Sequence, residues 1–129
     1  MLSIPKTPCP VGGLIPWMGG VWPIAGRREH PVFRWLYTIH EKRKDMGLVI
    51  WANISQEELV EEMGKFARFK PGDQVRLGAW SERKVMARKW DFDRGTMVYT
   101  VEGNRAGREW ALDQDQLLAR IKAAEEETA

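Results

Sequence analysis

Residues 69–118 constrain the fold of this chain more than any other stretch. They open Phe69-Lys70-Pro71-Gly72-Asp73-Gln74-Val75, where proline fixes φ at the second turn position and glycine accepts positive φ at the third. Alternating, β-rich runs follow, each closed by its own turn. Val75 and Leu77 alternate along the first, the second runs from Lys84 to Trp90, and Met97, Tyr99 and Val101 alternate on the third. Between the last two, Asp91-Phe92-Asp93-Arg94-Gly95 turns the chain with Gly95 at the positive-φ position. Trp110 and Leu112 mark a short fourth strand. The pattern predicts a small, strongly bent antiparallel barrel. Asp113 is placed to cap a C-terminal helix whose buried face is Leu117, Leu118 and Ile121, and which fades into the charged tail of 122–129.

A barrel of this size is marginal alone and gains from packing against the rest of a 129-residue chain. Upstream, Pro31 suits a first helical turn, and Val32, Trp35, Leu36 and Ile39 follow at i, i+3, i+4 and i+7. That spacing predicts a helix ending at Gly47. Leu48 to Asn53 reads as a buried strand, and Ser55 with Glu58 forms a capping box for a second helix with Leu59, Val60, Met63, Phe66 and Ala67 on its apolar face. The expected class is therefore α+β: an extended arm over 1–30, a helix–strand–helix segment over 31–68, the barrel over 69–118, and a C-terminal helix end and tail over 119–129.

The first 30 residues are rich in proline and glycine, which break any helical or strand period. They are also too apolar to stay in water: Leu14, Ile15, Trp17, Met18, Val21, Trp22 and Ile24 need a cover. Either the arm wraps its own domain or it docks on another protein.

Catalysis finds poor material here. His30 and His40 lie ten residues apart, with no metal spacing and no local nucleophile pairing. The single cysteine, Cys9, excludes an internal disulfide and a multi-cysteine zinc site. Asp91 and Asp93 read as a turn stabilised by its own side chains rather than a calcium loop. No catalytic residue, metal or cofactor is expected, and a small-molecule substrate is not expected either. Residues 1–16 lack the charged start and unbroken apolar core of a secretory signal, and no apolar run approaches the ~20 residues needed to span a bilayer. The expected location is the cytoplasm, or a particle assembled inside the cell. The net charge of +2, from 20 basic and 18 acidic residues, leaves room only for a local basic face. Lys84, Arg88 and Trp90 fall on one side of a regularly alternating strand, with Arg94 and Arg105 at turns, and basic groups interleaved with aromatics form a groove suited to phosphates and stacked bases.

The chain resembles an SH3-like small barrel of KOW or Tudor type over residues 69–118. The resemblance rests on Phe-x-Pro-Gly-Asp-x-Val at Phe69–Val75, the long bent second strand, Val-Tyr-x-Val at Val98–Val101 and Trp-Ala-Leu-Asp at Trp110–Asp113. Such modules include ribosome- and polymerase-associated barrels and accessory subunits of multiprotein complexes. The resemblance implies a fold and carries little functional content. The functional expectation is a non-catalytic structural or adaptor subunit, for example of a phage or virus particle, that docks on protein partners through the apolar arm and a barrel face. The alternative is nucleic-acid binding through the basic face.

Overall fold

A computed structural model of the chain describes residues 8–78, 81–103 and 107–128. It is an α+β structure of two four-stranded antiparallel sheets and two helices. Its contacts divide it into two compact units: the described residues up to Phe66 together with Asp91–Gly95, and Ala67–Trp90 together with Thr96 onwards.

In the first unit β1 (Leu14–Trp17), β2 (Gly20–His30), β3 (Arg34–Arg43) and β4 (Gly47–Ser55) pair in sequence order, and α1 (Gln56–Phe66) follows at once. The ladders shift register between Ile24 and Gly26 and between Tyr37 and Ile39, which bends the central strands. The helix lies against β1, β3 and β4, so it reaches both edge strands of the open sheet. Ile15, Ile24, Tyr37, Ile39 and Leu59 fill the interior. The predicted Ser55–Glu58 capping box starts the helix: the Glu58 N–H donates to Ser55 Oγ and the Ser55 N–H to Glu58 Oε1, both at 3.1 Å.

Three expectations for this half are corrected. No helix follows Pro31; residues 31–33 form a turn and β3 runs through the rest. The i, i+3, i+4, i+7 spacing was a coincidence of composition, since Tyr37, Ile39 and Glu41 are buried with period two while Val32 is exposed in the turn. Trp35, Tyr37, Thr38 and Ile39 are also residues that fit a pleated surface better than a helix. Nor is there an extended arm over 8–30, because its apolar residues form β1 and β2. Residues 1–7 lie outside the described residues. The strand read at 48–53 is present within β4, but as a sheet edge with Leu48 and Ile50 exposed rather than buried.

In the second unit β5 (Gln74–Gly78), β6 (Ser81–Asp91), β7 (Thr96–Glu102) and β8 (Glu109–Asp113) again pair in sequence order, and α2 (Gln114–Thr128) again follows at once. Asp113 caps it by accepting from the Gln116 N–H at 2.8 Å, while the Asp113 N–H donates to Gln116 Oε1 at 3.0 Å. Leu117 and Ala124 are buried.

The two units follow one plan at their matched pairs. Tyr37 pairs with Ile54 and Ile39 with Trp51; Tyr99 pairs with Leu112 and Val101 with Trp110. Gly12 donates to the Ile24 carbonyl and Ile24 to that of Gly13, as Gly72 donates to Val85 and Val85 to Asp73. The first unit carries one more residue between the paired positions of its last strand, absorbed at Asn53 with φ 59.

The turn Asp91–Gly95 is built as the sequence predicts. Asp91 Oδ1 accepts from the Asp93 and Arg94 amides at 3.0 and 3.1 Å, and Gly95 has φ 65. A Cβ on Gly95 would stand 2.8 Å from Val21 Cγ1 and 3.0 Å from Leu14 Cβ, whereas at Gly72 (φ 97) it would meet open space. Gly95→Ala combines the left-handed penalty with overpacking and costs about 2–4 kcal/mol in urea unfolding. Gly72→Ala carries the conformational penalty alone, about 1–2 kcal/mol. Equal losses would show that the turn is not seated on Leu14 and Val21.

Candidate functional site

Each unit encloses a polar knot around one of the chain's two tyrosines. The Tyr37 hydroxyl donates to Gln56 Oε1 at 2.6 Å and accepts from the Cys9 amide at 2.8 Å. The Tyr99 hydroxyl donates to Gln114 Oε1 at 2.5 Å and accepts from the Arg68 and Phe69 amides at 3.1 and 3.4 Å. An arginine completes each knot: Arg27 Nη1 donates to the Cys9 carbonyl at 2.9 Å, and Arg88 Nη1 to that of Phe69 at 2.8 Å. The third strand of each sheet is thus tied to the segment entering the unit and to the first residue of its helix. Both glutamines are buried, and the tyrosine hydroxyls help satisfy their side-chain oxygens.

Burial pushes both tyrosine hydroxyls above their ordinary pKa, against the lowering effect of the amides that donate to them. Burial also pushes the Cys9 thiol up, which makes it an inert core residue. Glu41 is buried on β3, with its carboxylate accepting from Trp51 Nε1 and Arg43 Nε at 2.7 Å each. Those donors, the indole first, hold its carboxyl below the usual range. These groups are engaged in holding strands together.

A raised tyrosine pKa stabilises the fold below the unfolded value of ~10, and that stability is lost as pH rises beyond it. Alkaline unfolding followed by circular dichroism is therefore expected to coincide with tyrosinate absorbance near 295 nm. Early ionisation of a tyrosine in folded protein would contradict the burial. Tyr37→Phe leaves the Cys9 amide and Gln56 short of a partner and costs about 1–3 kcal/mol. An unchanged denaturation midpoint would contradict that role.

The residues expected to form a docking arm are mostly internal. Ile15, Trp17 and Ile24 are buried, and Leu14, Val21 and Trp22 are half-buried in β1 and β2. Trp17 meets Trp51 edge-on at 6.0 Å, and Trp22 Nε1 donates to the Trp17 carbonyl at 3.1 Å. Of that set only Met18 is exposed.

The residues expected to form a basic groove are not presented as one. Trp90 is buried and Arg88 is held by the Phe69 carbonyl, because the burial alternation of β6 changes phase between Val85 and Arg88. Lys84 is exposed on β6, while Arg94 belongs to the turn counted with the first unit. Arg105 lies outside the described residues, as does Trp80.

Sequence reasoning missed what the first unit does present. Among the described residues the exposed large apolar side chains are Val11, Met18, Val32, Phe33, Met46, Leu48 and Ile50, all in the first unit, and Met86 in the second. Val32 and Phe33 fall at the β2–β3 turn, where His30 Nδ1 accepts from their amides, and Met46, Leu48 and Ile50 along the β3–β4 hairpin; Val11 precedes β1, Met18 of the expected arm sits in the β1–β2 turn, and Met86 is on β6. Beside them His40, Lys42 and Lys44 are exposed. Among the described residues, no helix is long and apolar enough to cross a membrane.

No family model, curated protein or solved structure matches this chain. The reading of its function rests on its own geometry.

Proposed function

We propose that this chain is a non-catalytic structural or adaptor subunit, made of two SH3-like modules, that holds protein partners within a larger assembly such as a virus or phage particle. The carrying observation is the segregation of exposed apolar side chains to the first unit, where Val32 is 78% and Met46 63% exposed. Exposed apolar side chains at the β2–β3 turn and along the β3–β4 hairpin, at the two ends of β3, are surface that a protein partner would cover. The docking element in this reading is the outer surface of β2–β4 rather than an N-terminal arm, whose described part is largely buried in its own sheet. Nucleic-acid binding has weaker support, since Arg88 and Trp90 are engaged inside the second unit.

Sedimentation of the tagged chain from cells that naturally make it tests this. It is expected to run far above its own 14.9 kDa. Val32→Asp combined with Phe33→Asp is expected to release it to the slow fractions with unchanged circular dichroism. A wild-type chain that sediments alone would overturn the proposal. Collapse of the complex on nuclease treatment, reproduced by Lys84→Ala, would transfer the function to nucleic acid.

A further inference from the structure

The repeated plan separates framework from function. Positions that agree between the units are the knots, the caps and the core, so the differences on the outside are where the first unit does something the second does not. The largest lies on the last strand of each sheet. β8 is five residues long and carries Glu109 opposite Glu102, while β4 is nine residues long and carries Ile50 opposite His40 and Leu48 opposite Lys42. Shortness and charge are how natural proteins protect a sheet edge from pairing with another chain. β8 has both protections, and β4, Gly-Leu-Val-Ile-Trp-Ala-Asn-Ile-Ser, has neither. Among the described residues no strand pairs with its outer side, and Leu48 and Ile50 are 55% and 59% exposed.

We propose that the outer edge of β4, at residues 47–51, accepts an extended strand from a partner protein, with alternate apolar residues beside Leu48 and Ile50 and carboxylates at its ends. The backbone groups of the edge supply the pairing, and alternate side chains supply the selection. The acidic preference follows from the rim. Lys42 lies one strand inward and Lys44 in the adjoining turn, and among the described residues neither has a carboxylate within ion-pair distance. An added strand would run about 10 Å from β3, within the span that two long, oppositely charged side chains bridge. A second copy fits less well, because β4 itself carries no carboxylate to set against Lys42 and Lys44.

This inference rests on the assembly reading and names the partner's chemistry. The probe is the peptide acetyl-Glu-Glu-Val-Thr-Val-Thr-Val-Glu-Glu-amide, titrated into the isotope-labelled full chain, with a lysine-flanked version as control. Saturable shifts at the amides of residues 47–51 are expected, with affinity about tenfold weaker for Ile50→Glu and for the lysine-flanked peptide. Lys42→Glu, at an exposed position, is expected to reverse the preference between the two peptides. Absence of binding, equal binding of both peptides, or concentration-dependent dimerisation through residues 47–51 would each overturn the proposal. A chain that still enters its large complex after Ile50→Glu, and binds no peptide, would sink this inference while leaving the assembly reading intact. Peptide binding by a chain that sediments alone in its cells would do the reverse.

Discussion

The rest of each unit depends on one hydrogen bond between a tyrosine in the third strand and a glutamine at the start of the helix. A four-stranded meander with two open edges is a weak structure by itself, and nothing in its ladder fixes where a following helix must lie. The Tyr37–Gln56 and Tyr99–Gln114 bonds supply that constraint, because they anchor the helix N-terminus over the sheet and leave the same hydroxyl to receive an amide from the entering chain. The arginines behind them, Arg27 and Arg88, hold the same entering segments by their carbonyls. Buried polar groups of this sort are costly unless every member is matched, which specifies one arrangement over others.

Much of the second unit was legible because its signals are local. Pro71-Gly72 and the alternation at Met97, Tyr99 and Val101 each act within a few residues, and so do the Asp91–Gly95 turn and the Ser55 cap of the first unit and the Asp113 cap of the second. The first unit was misread where local signals conflict with tertiary ones. Pro16 and Pro23 look like strand breakers, yet Pro16 lies on an edge strand, and Pro23 precedes the first β2–β3 pair at Ile24, so their missing amides interrupt little. The face expected of Lys84, Arg88 and Trp90 failed for a related reason: regular alternation does not survive the change of phase along β6.

The internal repeat was also written in the sequence, as Tyr37-Thr38-Ile39 against Tyr99-Thr100-Val101 and as Trp51-Ala52 against Trp110-Ala111, each followed by a capped glutamine. The longer β3–β4 hairpin and the extra residue at Asn53 change the spacing from tyrosine to glutamine, which hides the match until the hydrogen bonds are seen. Once the framework is recognised as shared, function is sought in what is not shared. The first unit keeps the knot and the core but leaves Leu48, Ile50, Lys42 and Lys44 exposed at a sheet edge, and the proposed docking role rests on that difference.

Native-state amide exchange on the unmodified chain reads out directly whether one framework is built twice and left open along β4. Slow exchange is expected at matched positions in both units: Gly12 with Gly72, Ile24 with Val85, and the Cys9 amide with that of Arg68. Fast exchange is expected at alternate amides within residues 48–51, those that face away from β3. Protection at the matched positions in one unit only, or β4 amides all as protected as those of β3, would contradict that framework.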